Sequence, residues 1–133
     1  MKNEKICLDT DILIDYLHNK KETVEAIAVI EKTGDCATTA LNVFELFCLA
    51  EESTKPEKNN AVVQELISRL TIIHLTPGAL REAAKIFTDL KKLKKKPDIR
   101  SILVGVTAKH REYTLFTATQ TNYTGVEGIK LYK

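Results

Sequence analysis

The stretch KICLDTDILIDYL, Lys5 to Leu17, sets two aspartates, Asp9 and Asp11, directly after a short apolar run and just before a second apolar run at helical spacing. Carboxylates at such a seam can do one of two things. They can accept hydrogen bonds from the free N–H groups that open a helix, or they can hold a cation. Other polar groups fall at similar seams. Thr38 and Thr39 close a second strand-like run, and Glu45 follows on the next helical one. Thr117, Thr119, Thr121 and Asn122 follow a late strand-like run. Carboxylates gathered at one edge repel each other unless a cation neutralises them. Hard oxygen ligands favour Mg²⁺ or Mn²⁺ over zinc. An ion of that kind can activate water and steady a phosphorane-like transition state.

Whether these groups meet depends on the elements between them. Glu4–Asp9 reads as a short buried strand, and Ile12–Asn19 and Glu22–Lys32 read as helices. Thr33-Gly34-Asp35 reads as a stop and turn before a second strand at Cys36–Thr39. Leu41–Glu52 has a strong helical pattern, Ser53–Lys58 breaks it, and Asn59–Leu70 forms another helix. Thr71–Leu75 reads as a third strand. Thr76-Pro77 then has the form of an N-cap followed by a proline in the first helical position, opening a helix to about Lys94. Ile99–Arg111 is the last long helix, Thr114–Ala118 a fourth strand and Ile129–Tyr132 a candidate fifth. Short apolar strands alternating with helices imply a mostly parallel sheet of four to five strands, covered on both faces. Ligands of such sheets bind beyond the carboxyl ends of the strands, where Asp9, Thr39 and Thr117 fall.

Composition sets bounds. The chain has 133 residues, 44% hydrophobic and 29% charged, which suits one compact domain over 1–133. No apolar run is long enough to cross a membrane, and the apolar run of the opening MKNEKICLD is too short for an export signal. Cys7, Cys36 and Cys48 are scattered and form no C-x-x-C pair, so they read as small buried thiols of a reducing cytoplasm rather than zinc ligands. The net charge of +2 is too small to argue for nucleic acid by itself. Five lysines in KKLKKKP, Lys91 to Pro97, either complement a helix C-terminus or contact a phosphate backbone.

ICLDTDILIDYL, TTALNVFEL and SILVGVTAKHREYTLFTATQTNY, in that order, resemble the PIN domain, and within it the VapC-type toxins of toxin–antitoxin pairs. The resemblance covers nearly the whole chain. It implies a three-layer α/β/α sandwich and a Mg²⁺- or Mn²⁺-dependent endoribonuclease of the cytoplasm. It also implies RNA as substrate, an antitoxin protein as partner and a homodimer. Asp9 matches the first acid of the family, Glu45 the second, and Thr10 the hydroxyl residue after the first.

Departures follow. The third acidic position is Ser101, and the fourth is Thr119. Asn122-Tyr123 stands where the family often has Asp-Phe. The catalytic set carried over is therefore Asp9, Glu45, Ser101 and Thr119. Metal ligands are Asp9 and Glu45, with Asp11 as a compensating charge and Asp98, otherwise an N-cap, as a second candidate. Because cation affinity tracks ligand charge, the expected metal is weakly bound or absent. Lys94, Lys95, Lys96 and Arg100 are the expected RNA-phosphate contacts. A non-cleaving PIN-fold module that binds RNA or a protein is the alternative. Phosphatases of the haloacid dehalogenase type also place Asp-x-Asp after a strand. They want Thr or Val where this chain has Leu13, and a late acidic pair that is lacking after Asp98.

Overall fold

A computed structural model describes residues 4–133, so the opening Met1 to Asn3 of the segment tested for an export signal lies outside the described residues. The strands are β1 (Glu4–Leu8), β2 (Gly34–Thr39), β3 (Thr71–Ile73) and β4 (Thr114–Phe116). The helices are α1 (Thr10–Leu17), α2 (Lys21–Thr33), α3 (Ala40–Glu52), α4 (Pro56–Ile67), α5 (Pro77–Lys92) and α6 (Ile99–His110), followed by a 3-10 turn at Gln120–Tyr123. All strand pairs are parallel, in the order β3-β2-β1-β4. No helix among the described residues is long and apolar enough to cross a membrane.

Alternation along β1 explains the layers. Ile6 and Leu8 point to one face, into a core with Ile12 and Leu13 of α1, Ile27 and Ile30 of α2, Leu46 of α3 and Val63 of α4. Cys7 points to the other, with Val104 and Ala108 of α6, Leu115 and Tyr123. Ala79 and Ala83 of α5 pack behind α6 on Ile102, Val106 and Val126. The result is the expected α/β/α sandwich. The two core thiols stay protonated: burial pushes Cys7 far up, and burial, with the charges of Glu31 and Asp35, pushes Cys36 up to about 12.

The chain order places the site. From β1 the chain steps outward through β2 to β3, then α5 and α6 carry it back across the sheet to β4, beside β1 on the opposite side. Crossovers therefore leave β1 in opposite directions, and the crevice at the carboxyl ends of β1 and β4 is the switch point where such sheets bind ligands.

Several boundaries differ from the sequence reading. α1 starts two residues early because the Asp9 carboxylate accepts the Thr10 N–H and caps it. The expected turn at Thr33-Gly34-Asp35 is absent: α2 runs through Thr33 and β2 begins at Gly34, pressed so close to Glu4 of β1 that a Cβ there would lie 2.0 Å from the Glu4 carbonyl oxygen. α4 begins at Pro56, inside the expected break, because proline fits a first helical turn. The Thr76 hydroxyl caps α5 as expected, accepting from the Ala79 N–H. The candidate fifth strand shrinks to one bridge, with Leu115 N–H donating to Lys130 O and Tyr132 N–H to Leu115 O.

Gly105 lets the segment after β4 lie directly on α6. A Cβ there would sit 2.9 Å from Val126 Cγ2 and 3.3 Å from Tyr123 Cδ1. On an exposed helix Gly→Ala stabilises by roughly 1 kcal/mol. Here overpacking outweighs that gain, and Gly105→Ala destabilises by about 1–3 kcal/mol in urea unfolding at unchanged m.

Candidate functional site

Asp9 ends β1 and caps α1, and its side chain is 2% exposed. An ionised carboxylate buried that far must be bonded on all sides, and it is. Oδ1 accepts from Thr10 N–H at 2.8 Å, Asn42 Nδ2 at 3.0 Å and Arg100 Nη2 at 2.6 Å. Oδ2 accepts from Thr117 Oγ1 at 2.8 Å and the Tyr123 hydroxyl at 2.6 Å. Burial alone would raise this carboxyl. The bonds from Arg100 and Tyr123, with the Arg100 charge and the Thr117 bond, outweigh it and hold Asp9 below its ordinary value. Tyr123 moves the opposite way, raised by burial and by the Asp9 charge, so it remains a donor.

Glu45 arrives from α3. The Thr39 hydroxyl caps that helix by accepting the Asn42 N–H, while Asn42 Oδ1 accepts the Thr39 N–H, a reciprocal capping box. The box fixes Asn42, whose Nδ2 reaches both Asp9 and, at 2.8 Å, Thr10 Oγ1. One turn on, Glu45 Oε1 accepts from Thr10 Oγ1 at 2.5 Å. Asp9 and Glu45 are thus brought together, and the link through Thr10 is one the sequence reading does not state.

Arg100 is not a free surface cation. Its Nη2 donates to Asp9 Oδ1 and, at 2.8 Å, to Glu45 Oε1; its Nε donates to Glu45 Oε2 at 2.8 Å and its Nη1 to the Tyr123 hydroxyl at 2.7 Å. Two guanidinium nitrogens meet the acids and the third meets Tyr123, a different place from the RNA phosphate the sequence reading expects. The physical reason is the pairing itself: two carboxylates at the switch point draw in the nearest fixed cation. Burial lowers Arg100 and pushes Glu45 up. Their mutual bonds, aided at Glu45 by Thr10 and at Arg100 by Asp9, outweigh it and leave Arg100 raised and Glu45 lowered.

Asp11 sits in the first turn of α1 and turns toward the loop after β4. Its carboxylate accepts from Ile12 N–H and Ala118 N–H, and Thr117 Oγ1 and Thr119 Oγ1 each lie 3.3 Å from it. Burial and the Asp9 charge raise it. Thr117, whose hydroxyl proton goes to Asp9, therefore lies between the two aspartates. Thr119 reaches Thr117 and Asp11, not Glu45. Ser101 is buried, but its hydroxyl donates to Asp98 Oδ2 at 2.6 Å, and Asp98 is exposed at the start of α6. Neither joins the acidic pair. Lys94, Lys95 and Lys96 are exposed in the turn between α5 and α6, where Lys94 takes a positive φ of 59° to end α5.

The sequence reading missed Asn42 and the pairing of Arg100 and Tyr123 with Asp9. Asn42 had a local signal in Thr39-x-x-Asn42; the other two had none. Among the described residues no group of three or more His, Cys, Asp or Glu side chains could hold a metal ion. Asp9 already accepts five donors, and Arg100 supplies the positive charge. As arranged, the set does not fit a divalent ion.

Comparison with known proteins adds four findings. A family model described as the PIN domain matches residues 6–119. A Haemophilus influenzae protein named ribonuclease VapC2 is 33% identical over 89 residues, 66% of each chain, so the match spans just under two thirds of that relative's length. A Shigella flexneri tRNA(fMet)-specific endonuclease VapC is 24% identical over 126 residues, 95% of each. The fold is similar to that in a DNA-bound VapBC structure from Salmonella typhimurium, with a TM-score of 0.84, 24% identity and 97% of each chain covered.

The lowered carboxyls fix a pH dependence. The ordinary values are 3.8 for Asp9 and 4.5 for Glu45, and both lie lower in the fold. As pH falls past those values the unfolded chain takes up protons first, so the stability these groups contribute is present above them and lost as pH drops through the folded values. Asp11, raised, contributes with the opposite sign. Thermal melts from pH 7 downward should fall more steeply below about pH 4 for the wild type than for Asp9→Asn; parallel curves would mean that Asp9 is not held low.

Proposed function

The chain belongs to the PIN domain family, and on that premise we propose that it is a VapC-like ribonuclease, the toxin of a toxin–antitoxin pair, cleaving RNA phosphodiesters in the cytoplasm. One observation carries this reading. Asp9 and Glu45 converge at the β1/β4 switch point, held there by Thr10, Asn42 and Thr117. Carboxylates so placed fit a site that acts on a phosphodiester. The names of the Haemophilus and Shigella relatives support the substrate class. Asp11 and Thr119 border the pair through Thr117 in this reading, whereas Ser101 is bonded to Asp98. Lys94, Lys95 and Lys96 attract the backbone from the turn that leads into α6.

An antitoxin and a second copy of the chain are the proposed partners. An apolar groove between α1, α3 and α4, lined by Ile14, Leu17, Leu46, Leu49, Val62 and Val63, offers a docking surface for the former, and Phe44 on α3 is 64% exposed. A second reading, an RNA-binding module without cleavage, is favoured by the Arg100 guanidinium between the two acids. Mg²⁺ or Mn²⁺, which the family resemblance implies, needs the oxygens that Arg100 holds, so no step is assigned to it.

RNA incubated with Mg²⁺ and then Mn²⁺ separates the readings. The wild type should cleave, and Asp9→Ala, checked for fold by circular dichroism, should lose about 10²-fold or more. No cleavage by either folded protein favours the binding module. Cleavage that survives Asp9→Ala overturns this placement of the site. Changing Lys94, Lys95 and Lys96 together to glutamine should weaken binding of single-stranded RNA and reduce the log–log salt slope by about 2. An unchanged slope would remove the lysine turn from the interface.

A further inference from the structure

The acidic pair already has a cation, and it is covalently part of the chain. Nη2 of Arg100 bridges the carboxylates, 2.6 Å from Asp9 Oδ1 and 2.8 Å from Glu45 Oε1. Nε takes the other Glu45 oxygen, so the guanidinium grips Glu45 by two parallel bonds, the strong bidentate form of the pair. Nη1 donates to the Tyr123 hydroxyl, which donates in turn to Asp9 Oδ2, closing a ring back to Nη2 through Asp9. The arginine is therefore fitted to this place and not draped across it.

Arg100 fills the place an incoming ion would take. Its Nη2 lies between Asp9 Oδ1 and Glu45 Oε1, its Nε covers Glu45 Oε2, and Asp9 meets four further donors. Thr10 N–H belongs to the helix backbone, Asn42 to the capping box, and Thr117 and Tyr123 to the segment after β4. The one donor on a long flexible side chain is Arg100. Its side chain is 30% exposed, which gives it a way out toward solvent. Asp11 cannot make good the crowding, because its carboxylate is engaged with Ala118 and Thr119.

We propose that Arg100 is the resident cation of this site, seated in place of a divalent ion, and that an ion reaches the Asp9–Glu45 pair only when the guanidinium leaves. The site is thereby closed to metal in its resting arrangement, and whatever draws Arg100 outward opens it. This follows from the geometry of the pair and does not rest on RNA cleavage. Read without RNA, its failure leaves the ribonuclease reading standing, and the failure of that reading leaves this one.

Mn²⁺ alone is the probe. In wild-type protein, Mn²⁺ up to about 1 mM, within the range that suits weak oxygen sites, should neither bind saturably nor broaden the side-chain amide resonance of Asn42, which lies beside Asp9. Arg100→Gln should bind Mn²⁺ at least about tenfold more tightly, with broadening at Asn42. Asp9→Asn on top of Arg100→Gln should abolish both effects. Arg100→Lys, which keeps the charge, should stay close to the wild type. Wild-type broadening at Asn42, or equal affinity in wild type and Arg100→Gln, overturns the proposal. So does a folded Arg100→Gln that binds no Mn²⁺. Should Arg100→Gln unfold, the wild-type titration decides: a sharp Asn42 amide supports the proposal and a broadened one overturns it.

Discussion

A carboxylate buried at the seam of a sheet and a helix is the constraint around which this molecule is arranged. Asp9 could avoid the cost of burial by taking a proton, but its partners hold it ionised. An unpaired buried charge costs several kcal/mol even after relaxation, and removal of one partner from a buried pair costs about 3–5 kcal/mol. Asp9 therefore acts as a clamp on distant parts of the chain. Its donors come from α1, α3, α6, the residue after β4 and the 3-10 turn, separated from it by up to 114 residues. The packing of α6 on the sheet, the close approach at Gly105 and the capping box of α3 all serve to bring those donors within reach.

That arrangement also explains why the sequence reveals some of it and hides the rest. Strand cores such as Ile6 to Leu8 and caps such as Thr76-Pro77 are local: the residues that decide them are neighbours in the chain. The elements and the sandwich follow from them. Asp9 and Glu45 are readable because each sits where a parallel sheet turns its carboxyl ends. Arg100 is not readable as their partner. It follows a run of lysines and a proline, where a basic residue suggests a wet surface, and nothing near it in the chain signals two acids 91 and 55 residues away. The fifth strand fails for a different reason: Ile129 to Tyr132 has strand-like residues but only Leu115 to pair with.

Charge decides how such a site meets its surroundings. Asp9, Glu45 and Arg100 together carry a net charge of −1, against −2 for the acids alone. The pair's pull on a free cation falls accordingly, and its repulsion of a phosphodiester falls with it. On the proposed reading, an acidic pair without that guanidinium would repel an RNA phosphate, and because the pair is largely buried, salt would screen the repulsion less than between exposed charges. Lys94 to Lys96 are exposed just ahead of α6, and in the proposed function they would add positive charge on the approach. In that proposal, attraction and selectivity fall to different residues on one stretch of chain. The lysine turn works at long range and weakens with salt, whereas the guanidinium works at hydrogen-bond distance in a partly buried setting that salt screens much less. An anion drawn in by the lysines is also a second claimant for the one long cationic side chain that faces both the acids and the solvent. On the proposed reading, that competition, and not the number of acids alone, would govern access to the Asp9–Glu45 pair.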